Sequence, residues 1–193
     1  MSAAGISVLR ELHPALWLAW LAYWIISARG SKPSVRRETA AQRWAHSFPL
    51  MLAMLLFFRP KFVPPLAHPF WERGAMAFWI GTVLLVVGLA FSIWARRVLG
   101  RNWSGTVTVK EDHELVQSGP YRLVRHPIYT GLLFALAGSS LAQGLWSSLV
   151  ALALCVVSFV IKLLREEAWM RETFGEKYDA YCARTKRLVP FVW

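Results

Sequence analysis

Residues 127–161 read PIYTGLLFALAGSSLAQGLWSSLVALALCVVSFVI, without a single charged side chain. As one helix the stretch would run roughly 52 Å, far beyond the ~30 Å hydrocarbon core of a bilayer. Near its middle stand Gly138-Ser139-Ser140 and Gln143-Gly144, small and polar residues suited to a reversal. The stretch therefore divides into a tight helical hairpin, about Pro127 to Ala142 and Leu145 to Ile161. Toward the N-terminus, Gly74 to Ala95 is a second charge-free run, and shorter apolar runs cover about Leu12 to Ala28 and Trp44 to Phe58. The fold expected is an all-α integral membrane protein of about five transmembrane helices. The last two form the hairpin, and a long loop with a C-terminal helix builds a cap on the cytoplasmic side.

The composition agrees. Of 193 residues 56% are hydrophobic and 17% charged, where a soluble domain carries about a quarter. The excess of 22 Lys and Arg over 11 Asp and Glu invites a nucleic-acid reading, but a nucleic-acid binder gathers its basic residues on one soluble face. Here they sit in the connections between apolar runs. The first connection, the third and the C-terminal tail hold eighteen of them, against Arg10, Arg59, Lys61 and Arg73 on the other side. The positive-inside rule places the eighteen in the cytoplasm, with the N-terminus outside and the C-terminus inside. The two Cys form no CxxC, and the five His show no ligand spacing. Neither a disulfide framework nor a metal site is expected.

Residues 1–73 hold the first two spans and their loops, and 74–193 a core, within one structural domain. Arg29 to Arg43 reads as a loop. The third connection is long for a simple link, and long structured loops are often functional. Its Thr106-Val107-Thr108-Val109 is β-prone and Lys110-Glu111-Asp112 turn-like. From Lys162 the tail is expected to continue the fifth span as a helix, since Trp169, Phe174, Tyr178 and Tyr181 recur at roughly helical spacing.

Three segments then converge on one membrane face. They are His113-Glu114-Leu115-Val116 leading to Gly119-Pro120-Tyr121, Arg125-His126-Pro127-Ile128-Tyr129 at the mouth of the fourth span, and Lys162 to Glu167 at the exit of the fifth. Each has a bland reading: Pro127 suits a first helical position, and Lys162 and Glu166 form an i,i+4 surface pair. None of these explains the convergence, and ionisable groups at a membrane edge are costly unless paired or functional. Arg125 or His126 can pair with a carboxylate, Glu166 or Glu167 can accept from an ammonium or ribose hydroxyls, and Tyr121 and Tyr129 can flank a base or a sulfonium. That set suits S-adenosylmethionine. Methyl transfer from a sulfonium is an in-line displacement in which positioning and exclusion of water supply much of the catalysis.

The stretch His113-Glu-Leu-Val-Gln-Ser-Gly-Pro-Tyr-Arg-Leu-Val-Arg-His-Pro-Ile-Tyr129, then Glu166-Glu167, Phe174-Gly-Glu-Lys-Tyr-Asp-Ala-Tyr181 and Val189-Pro190-Phe191 resembles the isoprenylcysteine carboxyl methyltransferase family, in a short prokaryotic form. The resemblance covers the last half of the chain. It implies a cofactor pocket of S-adenosylmethionine formed by His113, Glu114, Leu115, Val116, Tyr121, His126, Pro127, Ile128 and Tyr129. Glu166 falls on the cofactor-binding Glu, with Glu167 adjacent. Four residues earlier, where the family has a substrate-associated Arg, stands Lys162, which keeps the charge but loses the bidentate grip on a carboxylate. Arg165 is a nearby alternative, and Arg125 is the further cation that can orient an acceptor. The resemblance implies a lipophilic or lipidated acceptor, most simply a prenylcysteine carboxylate, reached from membrane lipid. It also implies an active site facing the cytoplasm across a prokaryotic inner membrane, with no nucleic acid and no obligate protein partner. Phospholipid N-methyltransferases and thiol S-methyltransferases share the Glu-Glu pair. Membrane sterol-type reductases, which use NADPH, have a similar C-terminal segment but carry Asn-Tyr-x-Gly-Glu where this chain has Ile128-Tyr129-Thr130-Gly131-Leu132.

Overall fold

In the computed structural model, which describes residues 3–29, 32–71, 74–110 and 114–193, long helices occupy all five apolar runs. They are α1 (Ala3–Ala28), α2 (Ala40–Phe58), α3 (Ala75–Leu99), α4 (Pro127–Gln143) and α5 (Trp146–Phe174), followed by a short α6 (Glu176–Arg184). Among the described residues, two segments are long and apolar enough to cross a membrane by length and composition: Ala75–Asn102, which is α3 with the turn after it, and α5. On α3 the stripe of Met76, Ile80, Val83 and Val87 is exposed, a surface whose chemistry suits lipid contact.

Local chemistry sets the helix ends. Thr39 and Gln42 form a capping box at the start of α2, each side chain accepting from the other's backbone N–H at 3.3 and 3.0 Å. Pro127 opens α4 at a position where its missing N–H costs nothing. Gly144, at φ 63°, closes α4, its N–H donating to the Ser140 carbonyl at 2.9 Å, and α5 starts two residues later. The Ser140 hydroxyl donates to the Ser148 carbonyl at 3.0 Å across the reversal. The hairpin thus falls where the small polar residues placed it.

α3 runs antiparallel to α4 at very close range. Gly88 faces Gly131 and Gly81 faces Gly138, and a Cβ added at Gly88 would lie 2.4 Å from the Gly131 carbonyl oxygen. Small residues allow two backbones to approach in this way. Gly88→Ala must push α4 away, and overpacking of this kind costs about 1–3 kcal/mol. A lower thermal midpoint in detergent is expected, with a larger drop for Gly88→Leu. On the other side α2 packs along α5 around Ala53, Leu56, Phe57, Ala151 and Cys155. α1 is held by indole N–H groups: Trp17 donates to the Ser139 hydroxyl at 3.1 Å and Trp20 to that of Ser92 at 2.9 Å.

Two expectations need correction. The connection from Arg29 to Arg43 contains a strand, β1 (Ser34–Arg37), paired antiparallel with β2 (Thr108–Lys110). The tail is also not one continuous helix with the fifth span, because Gly175, at φ 52°, ends α5 and starts α6 in a new direction. That φ lies in the region where glycine is at ease.

Candidate active site

The entrance of α4 is pinned from outside by the C-terminal segment. The Arg125 and His126 N–H groups donate to the Lys186 and Arg187 carbonyls at 2.8 and 3.0 Å, and the Thr130 hydroxyl to that of Leu188 at 2.8 Å. The hairpin brings α5 back beside this entrance, so that Glu166 and Glu167 meet Arg125-His126. Consecutive residues on a helix project about 100° apart, and the two carboxylates accordingly do different things.

Glu167 is buried, 1% exposed. It accepts from Arg125 Nε at 2.9 Å, from His126 Nε2 at 3.3 Å and from Arg187 Nε at 3.0 Å. It lies beyond the charge-free part of α5, which ends at Ile161. Burial pushes its carboxyl up, but the hydrogen bonds from His126 and Arg125 outweigh burial and hold it at about 2. Glu166 turns the other way. It accepts from the Tyr129 hydroxyl at 2.8 Å and stands 3.6 Å from His126 Nδ1. His126 thus bridges both carboxylates. Its ring lies parallel to that of Tyr129 at 5.6 Å, and Tyr129 in turn to Phe159 at 4.9 Å.

Glu166 borders a cavity of about 480 Å³, within the size range of small-molecule sites. Glu114, Leu115 and Val116 line it, as do Tyr121, His126, Pro127, Ile128 and Tyr129. Burial, with Tyr181 and Glu166 beside it, pushes the Tyr121 phenol up, so it stays neutral. His113 lies outside the described residues. Glu167 is not on the wall.

The three candidate cations part company. Arg125 reaches the wall, yet its guanidinium is committed to Glu167 and to the Cys182 and Thr185 carbonyls. Lys162 lines the cavity, donates to the Gly105 carbonyl at 2.8 Å and sits 5.7 Å from the centre of the Tyr129 ring. Arg165 points to the back of α5, donating to the Gln42 carbonyl at 2.7 Å with Glu38 at 3.6 Å, and does not line the cavity.

Sequence reasoning missed part of the wall. Trp20, Trp24 and Trp103 line it, with Trp20 stacked on Trp24 at 4.5 Å and Trp24 edge-on to Trp103 at 5.6 Å. In the sequence they share the signal of any interfacial tryptophan. Tyr178 and Tyr181 also line it, and the Tyr181 hydroxyl donates to the Tyr121 carbonyl at 2.6 Å. Their helical spacing was visible, but their partner in the third connection was not. The cavity therefore joins an aromatic, apolar side to a polar side with an acceptor-only carboxylate, a phenol, an imidazole and an ammonium. It can hold a ligand that carries hydroxyls or a cation next to an apolar chain.

Residues 76–177 match the family described as phospholipid methyltransferase. The chain is 27% identical over 160 residues to a probable protein-S-isoprenylcysteine O-methyltransferase of Oryza sativa subsp. indica, covering 81% of this chain and 84% of the relative. It is 30% identical over 147 residues to protein-S-isoprenylcysteine O-methyltransferase A of Arabidopsis thaliana, covering 74% and 72%. Among solved structures it resembles a eukaryotic intramembrane Ras methyltransferase, an isoprenylcysteine carboxyl methyltransferase, with a TM-score of 0.53 at 23% identity. That match covers 80% of this chain and 54% of the solved one, so the chain spans about half the length of that structure, and the likeness there is one of fold.

Proposed function

The chain belongs to the isoprenylcysteine carboxyl methyltransferase family, its core falling in the wider phospholipid methyltransferase family, and on that premise we propose that it methylates a lipophilic acceptor with S-adenosylmethionine. It is a membrane methyltransferase. We propose five spans, with the N-terminus outside and the cavity facing the cytoplasm, because the long helices coincide with the five apolar runs and the Lys and Arg fall so unevenly between the two sides.

The observation that carries the cofactor reading is the linked set Glu166, Tyr129 and His126 on the wall of a ligand-sized cavity. The donor set fits. Glu166 can accept from hydroxyls or an ammonium, and the segment 114–116 with Tyr121 closes the side of the cavity. When bound, S-adenosylmethionine supplies an electrophilic methyl group on a sulfonium. The chain's own part is placement. Glu167, Arg125 and Arg187 hold the α4 entrance and α5 in one geometry, the aromatic side excludes water, and Lys162 presents a positive charge to an anionic acceptor. No covalent intermediate on a cysteine is required, since Cys155 is buried inside α5 and neither Cys155 nor Cys182 lines the cavity.

For the acceptor we propose a carboxylate with a prenyl-like chain lying along the Trp20, Trp24 and Trp103 side. A phospholipid amine or a thiol keeps the reaction type and changes this assignment alone. Lys162→Ala should lower turnover of a prenylcysteine analogue by roughly 10- to 100-fold, the worth of a charged hydrogen bond. S-adenosylhomocysteine affinity should change much less. Calorimetric titration of the purified protein with S-adenosylhomocysteine and with NADPH tests the whole reading. Heat with the former and none with the latter is expected, and the reverse would make the protein a reductase.

A further inference from the structure

Glu38 lies between β1 and α2, outside residues 76–177, and its carboxylate is fully buried. Groups from three parts of the chain surround it. The Val107 N–H donates to it at 3.3 Å, His46 Nε2 lies at 3.1 Å, Arg165 at 3.6 Å and Arg43 at 3.8 Å. The pairing with Val107 runs both ways, because the Glu38 N–H donates to the Val107 carbonyl at 3.2 Å. A buried carboxylate is expensive unless paired, and this one is paired on every side.

These partners connect two walls of the cavity. Val107 is buried and pinned to Glu38, while its neighbours Thr106 and Thr108 line the cavity, as do Ser104 and Gly105. On α5, Phe159, Lys162, Glu166 and Met170 form the lining stripe, at the spacing of one helix face. Ser158 and Arg165 lie off that stripe and reach the Glu38 cluster, the Ser158 hydroxyl donating to the His46 carbonyl at 2.6 Å and Arg165 as above. The Glu38 cluster therefore touches both the 104–108 wall and the side of α5 next to the face that carries Lys162 and Glu166.

We infer that Glu38 is a positioning residue: by accepting from the Val107 N–H and holding Arg165, it fixes the gap between the 104–108 wall and the Lys162–Glu166 face of α5. The inference rests on the cofactor reading only for its binding readout. The alternative is plain charge compensation for Arg43 and Arg165, and the two roles respond differently to substitution. Glu38→Gln removes the charge yet keeps an oxygen for Val107, whereas Glu38→Ala removes both.

The test uses the full chain in detergent, with hydrogen exchange at the Val107 amide and titration with S-adenosylhomocysteine. Glu38→Ala should speed Val107 exchange and weaken binding, each by about tenfold, the scale of one lost buried hydrogen bond. Glu38→Gln should keep Val107 exchange within about threefold of the parent, and should weaken binding no more than Arg165→Gln does. Arg165→Gln frees α5 and leaves Val107 held, so it should weaken binding with Val107 exchange unchanged, which keeps the test open if Glu38→Ala does not fold. The inference is overturned if Glu38→Ala behaves as the parent, if Glu38→Gln exchanges the Val107 amide as fast as Glu38→Ala, or if Arg165→Gln binds as tightly as the parent. Should the parent itself not bind S-adenosylhomocysteine while the exchange pattern is as expected, the cofactor reading fails and the positioning role stands.

Discussion

Glu167→Ala should destabilise the protein by about 3–5 kcal/mol, the cost of removing one partner from a buried charge network. The site leaves little room for compensation. The Arg125 guanidinium, on a side chain 8% exposed, would keep only the Cys182 and Thr185 carbonyls among the described residues, and His126 and Arg187 would each lose a carboxylate. Thermal unfolding in detergent should show a midpoint well below that of the parent. Arg187→Ala should cost less, because Arg187 is 27% exposed and Glu167 would retain its other partners. The effect has a pH signature. A carboxyl held at about 2 lies below an ordinary glutamate, so its contribution is complete above the ordinary glutamate pKa and is lost as pH falls from there toward 2. The parent should therefore lose stability over that acid range, and Glu167→Ala should lose less of it. Equal midpoints for parent and variant at neutral pH would show that the network carries no weight.

The features legible in the sequence were those set by local rules. Run length located the helices, and Gly144 located the reversal because a helix end at positive φ favours glycine. The β1–β2 pair was not legible. Ser34-Val-Arg-Arg37 has no alternation of apolar and polar residues, and its partner lies some seventy positions away, so only the closed fold brings the two together. The tail was half legible. The spacing of Trp169, Phe174, Tyr178 and Tyr181 fits one helix, yet the break at Gly175 carries that stripe around a corner while both tyrosines stay buried.

For the site, the order of the segments sufficed to bring Arg125-His126 and Glu166-Glu167 together, since a hairpin returns its ends to one membrane face. What order cannot reveal is helix phase. Phe159, Lys162 and Glu166 share a face, whereas Arg165 and Glu167 project to either side of it, Arg165 toward Glu38 and Glu167 toward Arg125. A shift of one residue exchanges a wall group for a buried structural one. Phase depends on what the back of α5 packs against, here α2 and the Glu38 cluster, and α2 with Glu38, Arg43 and His46 lies in the part of the chain where no family resemblance was read.

That phase makes Glu166 the residue with the largest expected effect on binding. Glu166→Ala should weaken S-adenosylhomocysteine by roughly 2–5 kcal/mol, the range for losing one charged hydrogen-bonding partner in a desolvated site, or about 30-fold to several thousand-fold. The fold should survive. The Glu166 side chain is 24% exposed, and its loss frees the Tyr129 hydroxyl on the cavity wall without stranding a buried cation. Glu166→Gln keeps an acceptor for Tyr129 and loses the charge, so intermediate binding would assign the remainder of the effect to charge. His126→Ala should also weaken binding, but with a stability loss that Glu166→Ala lacks, because His126 supports Glu167 as well. Binding is best measured by calorimetry alongside the thermal midpoint, so that the two effects separate. Parental affinity in Glu166→Ala, with an unchanged midpoint, would move the cofactor away from this wall and leave the face shared by Lys162 and Glu166 without its assigned ligand.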